Sequence, residues 1–245
     1  MINHSVGQGG FNDPAEVHFV KNRFIQLGYT WLSADSTVNR SFIETIRLFQ
    51  SIISSSQTIK GDGRIDPGYS TLKWLTAENA PRWMKLPVGS KTNKTEGYYN
   101  FTGCEQHDGN DHGTSWLVEH IQKGAKIYSD SWISNHPGAS VMWINDMSDS
   151  DGGDHKDHLG HECGLSFDLR LPRKDGLSGG IEVSHESYDR NAMREIIKAM
   201  RFPGSLIGKI FLNDPDLIRE GLTRTAKGHE NHAHIQIDFA PQMMQ

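Results

Sequence analysis

In the stretch His229-Glu230-Asn231-His232-Ala233-His234-Ile235-Gln236-Ile237-Asp238-Phe239, polar and apolar residues alternate from His232 onward. Successive side chains of a β-strand point to opposite faces. The pattern therefore predicts a strand over 232–239 with Ala233, Ile235, Ile237 and Phe239 against a core. The other face carries His232, His234, Gln236 and Asp238, so two imidazoles stand side by side.

Residues 166–171 alternate in the same way, with Phe167, Leu169 and Leu171 on one face and Ser166, Asp168 and Arg170 on the other. His161 precedes Asp168 by seven residues, in the approach His161-Glu162-Cys163-Gly164. If the two strands are neighbours, His161, Asp168 and His234 converge on one point. Two neutral imidazoles and a carboxylate suit zinc, and three protein ligands leave the fourth tetrahedral position to water. Such a water approaches a pKa of about 7 and becomes a nucleophile at neutral pH. His232, the imidazole left over, is placed to move a proton.

Each motif alone has a blander explanation. A His-x-His pair on a strand edge is ordinarily two polar side chains turned to solvent, and His161 with Asp168 alone could be a loop ion pair. Together, each on a strand-like pattern with its apolar side turned away, they favour a metal. Two cysteines, Cys104 and Cys163, permit one disulfide at most and no cysteine-rich zinc module. Cys163, which could also ligate, reads better as a small buried residue; His107, Asp108, Asp111 and His112 read as a solvated loop, the alternative being that one of them lines the cleft.

Working outward, residues 13–75 read as three short helices. Asp13 is an N-cap and Pro14 a first helical residue, followed by Val17, Val20, Phe24 and Leu27 up to Gly28. Ser41 and Glu44 have the spacing of a capping box before Ile46, Phe49 and Ile53. The turn-rich run Gly61-Asp62-Gly63-Arg64-Ile65-Asp66-Pro67-Gly68 leads to a third segment with Leu72 and Leu75. Residues 76–90, with Pro81, Pro87 and Gly89, read as a connection. Thr114 caps a helix with Leu117, Val118, Ile121 and Ala125; residues 141–144 and 209–212 are short apolar strands; Met193, Ile196, Ile197 and Met200 mark a helix over 189–200. Strands interrupted by helices place the chain in the α+β class.

With 245 residues and 36% hydrophobic content, the chain can bury a core and is not a disordered polymer. A net charge of -5 argues against a nucleic-acid partner. No apolar run approaches the ~18 residues that span a bilayer. Residues 1–10 carry neither a basic stretch nor an apolar run, so a secretory signal peptide is not expected there.

The C-terminal motifs resemble those of the penicillin-insensitive murein endopeptidases, zinc peptidases related to lysostaphin and the D-Ala-D-Ala carboxypeptidases. The resemblance covers roughly residues 113–239. It runs through Gly113-Thr114, Leu117-Val118, Asp146-Met147-Ser148 before Gly152-Gly153, and His158-x-x-His161-x-x-Gly164-x-x-x-Asp168. It continues through Ile210-Phe211-Leu212-Asn213 with Pro215, and ends at His229-x-x-His232-x-His234. It implies Zn2+ ligands at His161, Asp168 and His234, a catalytic imidazole at His232, and supporting histidines at His158 and His229. Gly10, Asn12, Pro14, Val17, Leu27-Gly28-Tyr29, Glu44-Thr45-Ile46 and Phe49-Gln50 resemble a three-helix peptidoglycan-binding domain. The implied organisation is a helical module over 1–75, a linker over 76–90, and over 91–245 a zinc peptidase domain with a central antiparallel sheet. Asp149, Asp151, Asp154 and Asp157 make the approach to His158 more acidic than the family pattern, and residues 174–189 do not align with it.

The expected activity is cleavage of peptide cross-links in bacterial peptidoglycan, at D-Ala to meso-diaminopimelate or between two diaminopimelates. A phage lysis enzyme, or a toxin injected into rival bacteria and matched by an immunity protein, would act on the wall without a signal peptide. Two alternatives stand beside this: a D-Ala-D-Ala carboxypeptidase, which releases terminal alanine and spares cross-links, and a non-catalytic wall-binding protein.

Overall fold

The computed structural model describes residues 2–107, 109–153 and 160–238. Phe239, expected at the end of the last strand, lies outside them. In chain order the elements are β1 (Val6–Gly7), α1 (Pro14–Gln26), α2 (Arg40–Ile53), β2 (Arg64–Ile65), α3 (Ser70–Thr76), β3 (Trp83–Lys85), β4 (Tyr98–Asn100), β5 (His112–Thr114), α4 (Ser115–Ser131), β6 (Met142–Ile144), β7 (Ser166–Arg170), α5 (Arg190–Met200), β8 (Ile207–Phe211), α6 (Pro215–Arg219) and β9 (His232–Ile237). The chain is α+β.

Asp13 starts α1 by accepting from the amides of Ala15 and Glu16, with Pro14 at the first helical position. The α2 helix begins before the expected Ser41. Asn39 caps it, its Oδ1 accepting from the Phe42 amide at 2.9 Å, while Glu44 pairs instead with Arg47 at 3.2 Å. Satisfying the orphan amides from Asn39 leaves Ser41 inside the helix. Val17, Val20 and Phe24 of α1 and Phe42, Ile46, Phe49 and Ile52 of α2 are fully buried in one hydrophobic cluster. The turn-rich run over 61–68 contains β2, which pairs with β1, a ladder with no signal in the local pattern.

Residues 76–90, read from sequence as a connection, contain β3, which pairs antiparallel with β5. Trp83 of β3 donates its amide to Leu27 O at 2.8 Å, and its indole to Ser150 O at 3.0 Å. Gly28, at φ +93°, lets the backbones come this close, because a Cβ there would meet Trp83 O at 2.1 Å. Further on, the Ile59 amide donates to Glu162 Oε2 at 2.8 Å and Gln57 Nε2 to Ile237 O at 3.3 Å. The loop after α2 thus holds Glu162, in the turn before β7, and the end of β9.

The main sheet has the order β4-β6-β7-β9-β8. It is mixed rather than wholly antiparallel: β4 and β6 are parallel, and every other pair is antiparallel. Helix α4 lies between β4 and β6 in the chain, and such a crossover brings the second strand back in the same direction. Helices α4 and α5 pack on each other. Leu117, Val118 and Ile121 of α4, Met193, Ile196 and Ile197 of α5, and Phe167, Leu169, Ala233, Ile235 and Ile237 of the sheet are all fully buried in the same cluster. One face of β7 and β9 is therefore committed to the core, which turns their polar residues to the other side. Among the described residues no helix is long and apolar enough to cross a membrane.

Candidate metal centre

Strands β7 and β9 pair with Asp168 opposite His234 and Arg170 opposite His232. Directly opposed residues of an antiparallel pair share a face, with Cβ atoms about 4.5–5.5 Å apart. The alternation in each strand thereby gathers two histidines, an aspartate and an arginine on one patch. His161 joins from the turn before β7. That turn is fixed by Ser166 Oγ donating to Gly160 O at 2.5 Å, by Ser148 Oγ donating to His161 O, and by the Thr114 amide donating to Gly164 O at 3.0 Å. Thr114 also caps α4, accepting from the Leu117 amide at 3.2 Å.

His161, Asp168 and His234 are buried, and one ligand atom from each lies within 4.8 Å of the other two. His161 Nε2 is 3.3 Å and His234 Nδ1 2.8 Å from Asp168 Oδ1. Donors about 2.1 Å from a tetrahedral ion are about 3.4 Å apart. Spacing and donor set fit a metal ion, and the group could hold one. The other nitrogen of His234, Nε2, lies 3.1 Å from the Gln236 amide. Each ring nitrogen of His234 thus has its own partner, which fixes the ring's orientation.

Burial acts to raise the Asp168 carboxyl, but the adjacent His161 and His234 rings outweigh it and hold it well below the usual carboxylate range. Burial lowers His234 against the pull of Asp168. Burial likewise lowers His232; Asp168 opposes this, and His229 and His161 add to it. An ionised Asp168 beside His234, which burial pushes toward its neutral form, is the state that binds a cation.

His232 belongs to the group without joining the triangle. Its Nε2 is 3.6 Å from Asp168 Oδ2, the oxygen that does not face His161 and His234. Its Nδ1–H donates to Asn231 Oδ1 at 2.7 Å, so in the neutral ring Nε2 is the basic nitrogen. His229 is half-buried, with its ring 4.8 Å from that of His232 and 5.8 Å from that of His234, and it donates to Lys227 O at 3.0 Å. His158, Asp154 and Asp157 lie outside the described residues. Both cysteines are free, and Cys163 is buried outside the metal group.

The segment over 107–112 differs from the expected solvated loop. Asp111 is fully buried, 3.1 Å from Lys85 Nζ, and accepts from Asn100 Nδ2 at 3.0 Å. Pairing of β3 with β5 brings the Lys85 charge to it, so the acid is paid for by structure rather than by water. Asp108 is outside the described residues.

A cavity of about 300 Å³ opens beside the triangle, lined by Asn145, Asp146, Asp168, Arg170, Gly179, Gly228, Asn231 and His232. A larger cleft, about 840 Å³, lies between α2 and residues 151–153, with Trp31, Arg47 and Glu162 on its walls. The sequence placed Arg170 and Gln236 on the correct strand faces without giving them a role. Asn231 carried no signal, because its effect, fixing the tautomer of His232, comes from a side-chain contact that no strand pattern states. Neither a protein-family model nor a curated protein matches this chain.

Proposed function

We propose that this protein is a zinc-dependent murein endopeptidase that hydrolyses peptide cross-links of bacterial peptidoglycan. The observation that carries the reading is the buried triangle of His161, Asp168 and His234, with a fourth histidine beside it and a cavity next to both. A structural zinc is closed by four protein ligands, whereas three ligands with an adjoining cavity leave room for a reaction. The spacing of the histidine motifs, which resembles that of the murein endopeptidases, points to the polymer as substrate.

Zn2+ held by His161, Asp168 and His234 would polarise a peptide carbonyl and acidify water. The chain's own groups handle the proton. Asn231 holds Nδ1–H of His232, which leaves Nε2 to accept a proton from the attacking water and pass it to the departing amine. The water oxygen bonds to the carbonyl carbon, the C–N bond breaks, and the amine leaves with the proton. Asp168 stabilises the charged His232 that exists between the two transfers.

In this reading the helices within residues 1–75 tether the enzyme to its polymer, where a second contact raises the local concentration of bonds. A phage lysis enzyme or an injected antibacterial effector has use for such an arrangement. Digestion of purified sacculi, followed by mass spectrometry of the muropeptides, tests the reaction. Loss of dimers with gain of monomers supports it. Release of D-alanine alone selects the carboxypeptidase alternative, and new reducing sugar ends would sink the peptidase reading.

A further inference from the structure

Arg170 sits directly across the β7–β9 ladder from His232, one strand repeat beyond the Asp168–His234 pair. Residues i and i+2 of a strand are about 6.6–6.8 Å apart. The patch therefore runs in a line from the metal triangle to the proton-transfer histidine and its arginine neighbour. The guanidinium lines the same cavity as His232.

Its own hydrogen bonding is nearly unused. Among the described residues it makes one long contact, Nη1 to Asn145 Oδ1 at 3.4 Å, and its buried Nε has no partner. An arginine fork offers five donors. The group is nonetheless held in place, with its carbon 4.1 Å from the centre of the Phe101 ring. Phe101 in turn stacks on Trp143 at 5.5 Å. Behind the guanidinium, Gly179 has a φ of +73°, and a Cβ there would meet Arg170 Nε at 2.1 Å. The charges of Asp146 and Glu105 act on the guanidinium without a direct hydrogen bond to it, so a planar cation that is stacked, packed against a glycine and short of close acceptors keeps its donors for a planar anion.

We infer that Arg170 anchors the free α-carboxylate of the residue whose amine is released. This rests on the peptidase reading above. His232 delivers the proton to the leaving nitrogen, so that nitrogen lies on the His232 side of the triangle. The carbon bearing it carries the carboxylate, which falls within reach of the cross-strand neighbour. A cavity of about 300 Å³ suits one amino-acid residue. Asp146, held by Asn145 Nδ2 at 2.7 Å, lines the same cavity and puts a negative charge beside both Arg170 and His232. Both a diaminopimelate cross-link and a terminal D-Ala-D-Ala present this chemistry, and a carboxamide at that position does not.

The test compares metal-loaded wild type, Arg170→Met and Arg170→Lys on four substrates. These are a cross-linked dimer and a D-Ala-D-Ala pentapeptide, each with the carboxyl beside the cut bond either free or amidated. Wild type is expected to favour the free acid by roughly 10- to 100-fold in kcat/KM, the scale of a charge-assisted hydrogen bond. Arg170→Met brings that ratio to about one, and Arg170→Lys restores part of it, with metal content equal in all three. The dimer and pentapeptide arms identify which source of carboxylate the cavity takes. A wild-type ratio near one, or an unchanged ratio in Arg170→Met, overturns the inference. Calorimetric titration of the metal-free proteins with free diaminopimelate separates this from failure of the peptidase reading. Binding weakened by Arg170→Met, in a protein that cuts nothing, keeps the anchor and removes the peptidase. Cleavage without Arg170-dependent binding or preference removes the anchor alone.

Discussion

His232 Nε2 lies 3.6 Å from Asp168 Oδ2, while His161 and His234 both face Oδ1 of the same carboxylate. The two oxygens of one aspartate thus separate the histidines that could hold a metal from the histidine that could move a proton.

That separation predicts two kinds of histidine variant. His161→Ala and His234→Ala lose bound metal and activity together, whereas His232→Ala keeps the metal and loses about 10² to 10⁴ in turnover. Metal analysis of the purified variants, set beside their rates, checks this. Full metal occupancy in His161→Ala would remove that residue from the ligand set.

Metal should also stabilise the fold, since an ion that binds only the native state adds RT ln(1 + [L]/Kd). At a free zinc concentration of ~1,000 Kd the gain is about 4 kcal/mol. Thermal unfolding with zinc and with chelator reads it. The upward shift in Tm should vanish in His234→Ala, and an equal shift in that variant would mean that zinc binds elsewhere.

The Lys21 side chain is fully buried, and its ammonium reaches Asp35 Oδ1 at 2.6 Å. The hydrogen bond from Lys21, then that from the Thr37 amide, hold the Asp35 carboxyl below its usual value. A depressed carboxylate contributes stability above its unfolded pKa of about 3.9 and loses it as pH falls through the lower folded value. Wild type should therefore lose more stability than Asp35→Asn between about pH 4.5 and pH 2.5. Parallel loss of Tm in the two proteins over that window would contradict the pairing.

Capping gives a local check on α2. Asn39→Ala should destabilise the protein by about 0.5–2 kcal/mol, and Ser41→Ala should change stability much less. Denaturant melts of the two variants decide between them, and the reverse order would restore the cap to Ser41.

The site was legible in sequence to the extent that a strand fixes faces. Alternation placed Asp168 on the polar face of one strand and His232 and His234 on that of another, and the core demanded by Phe167, Leu169, Ala233 and Ile235 kept those faces outward. The contact itself spans 66 residues of chain, and nothing local states that Asp168 stands opposite His234. Arg170 was visible on the right face, but its meaning depends on Phe101, Gly179 and His232, which arrive from three other segments. Asp111 was misplaced for the same reason: its burial depends on Lys85, delivered by a strand within a stretch rich in proline and glycine. The α2 cap was obscured by competition, because Asn39 and Ser41 both have side chains able to start a helix, and only the backbone at Asn39 decides.

The most direct test is mass spectrometry of a purified, cross-linked muropeptide dimer incubated with the 245-residue protein. The protein should convert dimer to two monomers, stop when a chelator is added, resume when zinc is restored, and show no conversion as His161→Ala. An intact dimer after incubation with the zinc-loaded protein, or cleavage that continues in His161→Ala and in chelator, would contradict it.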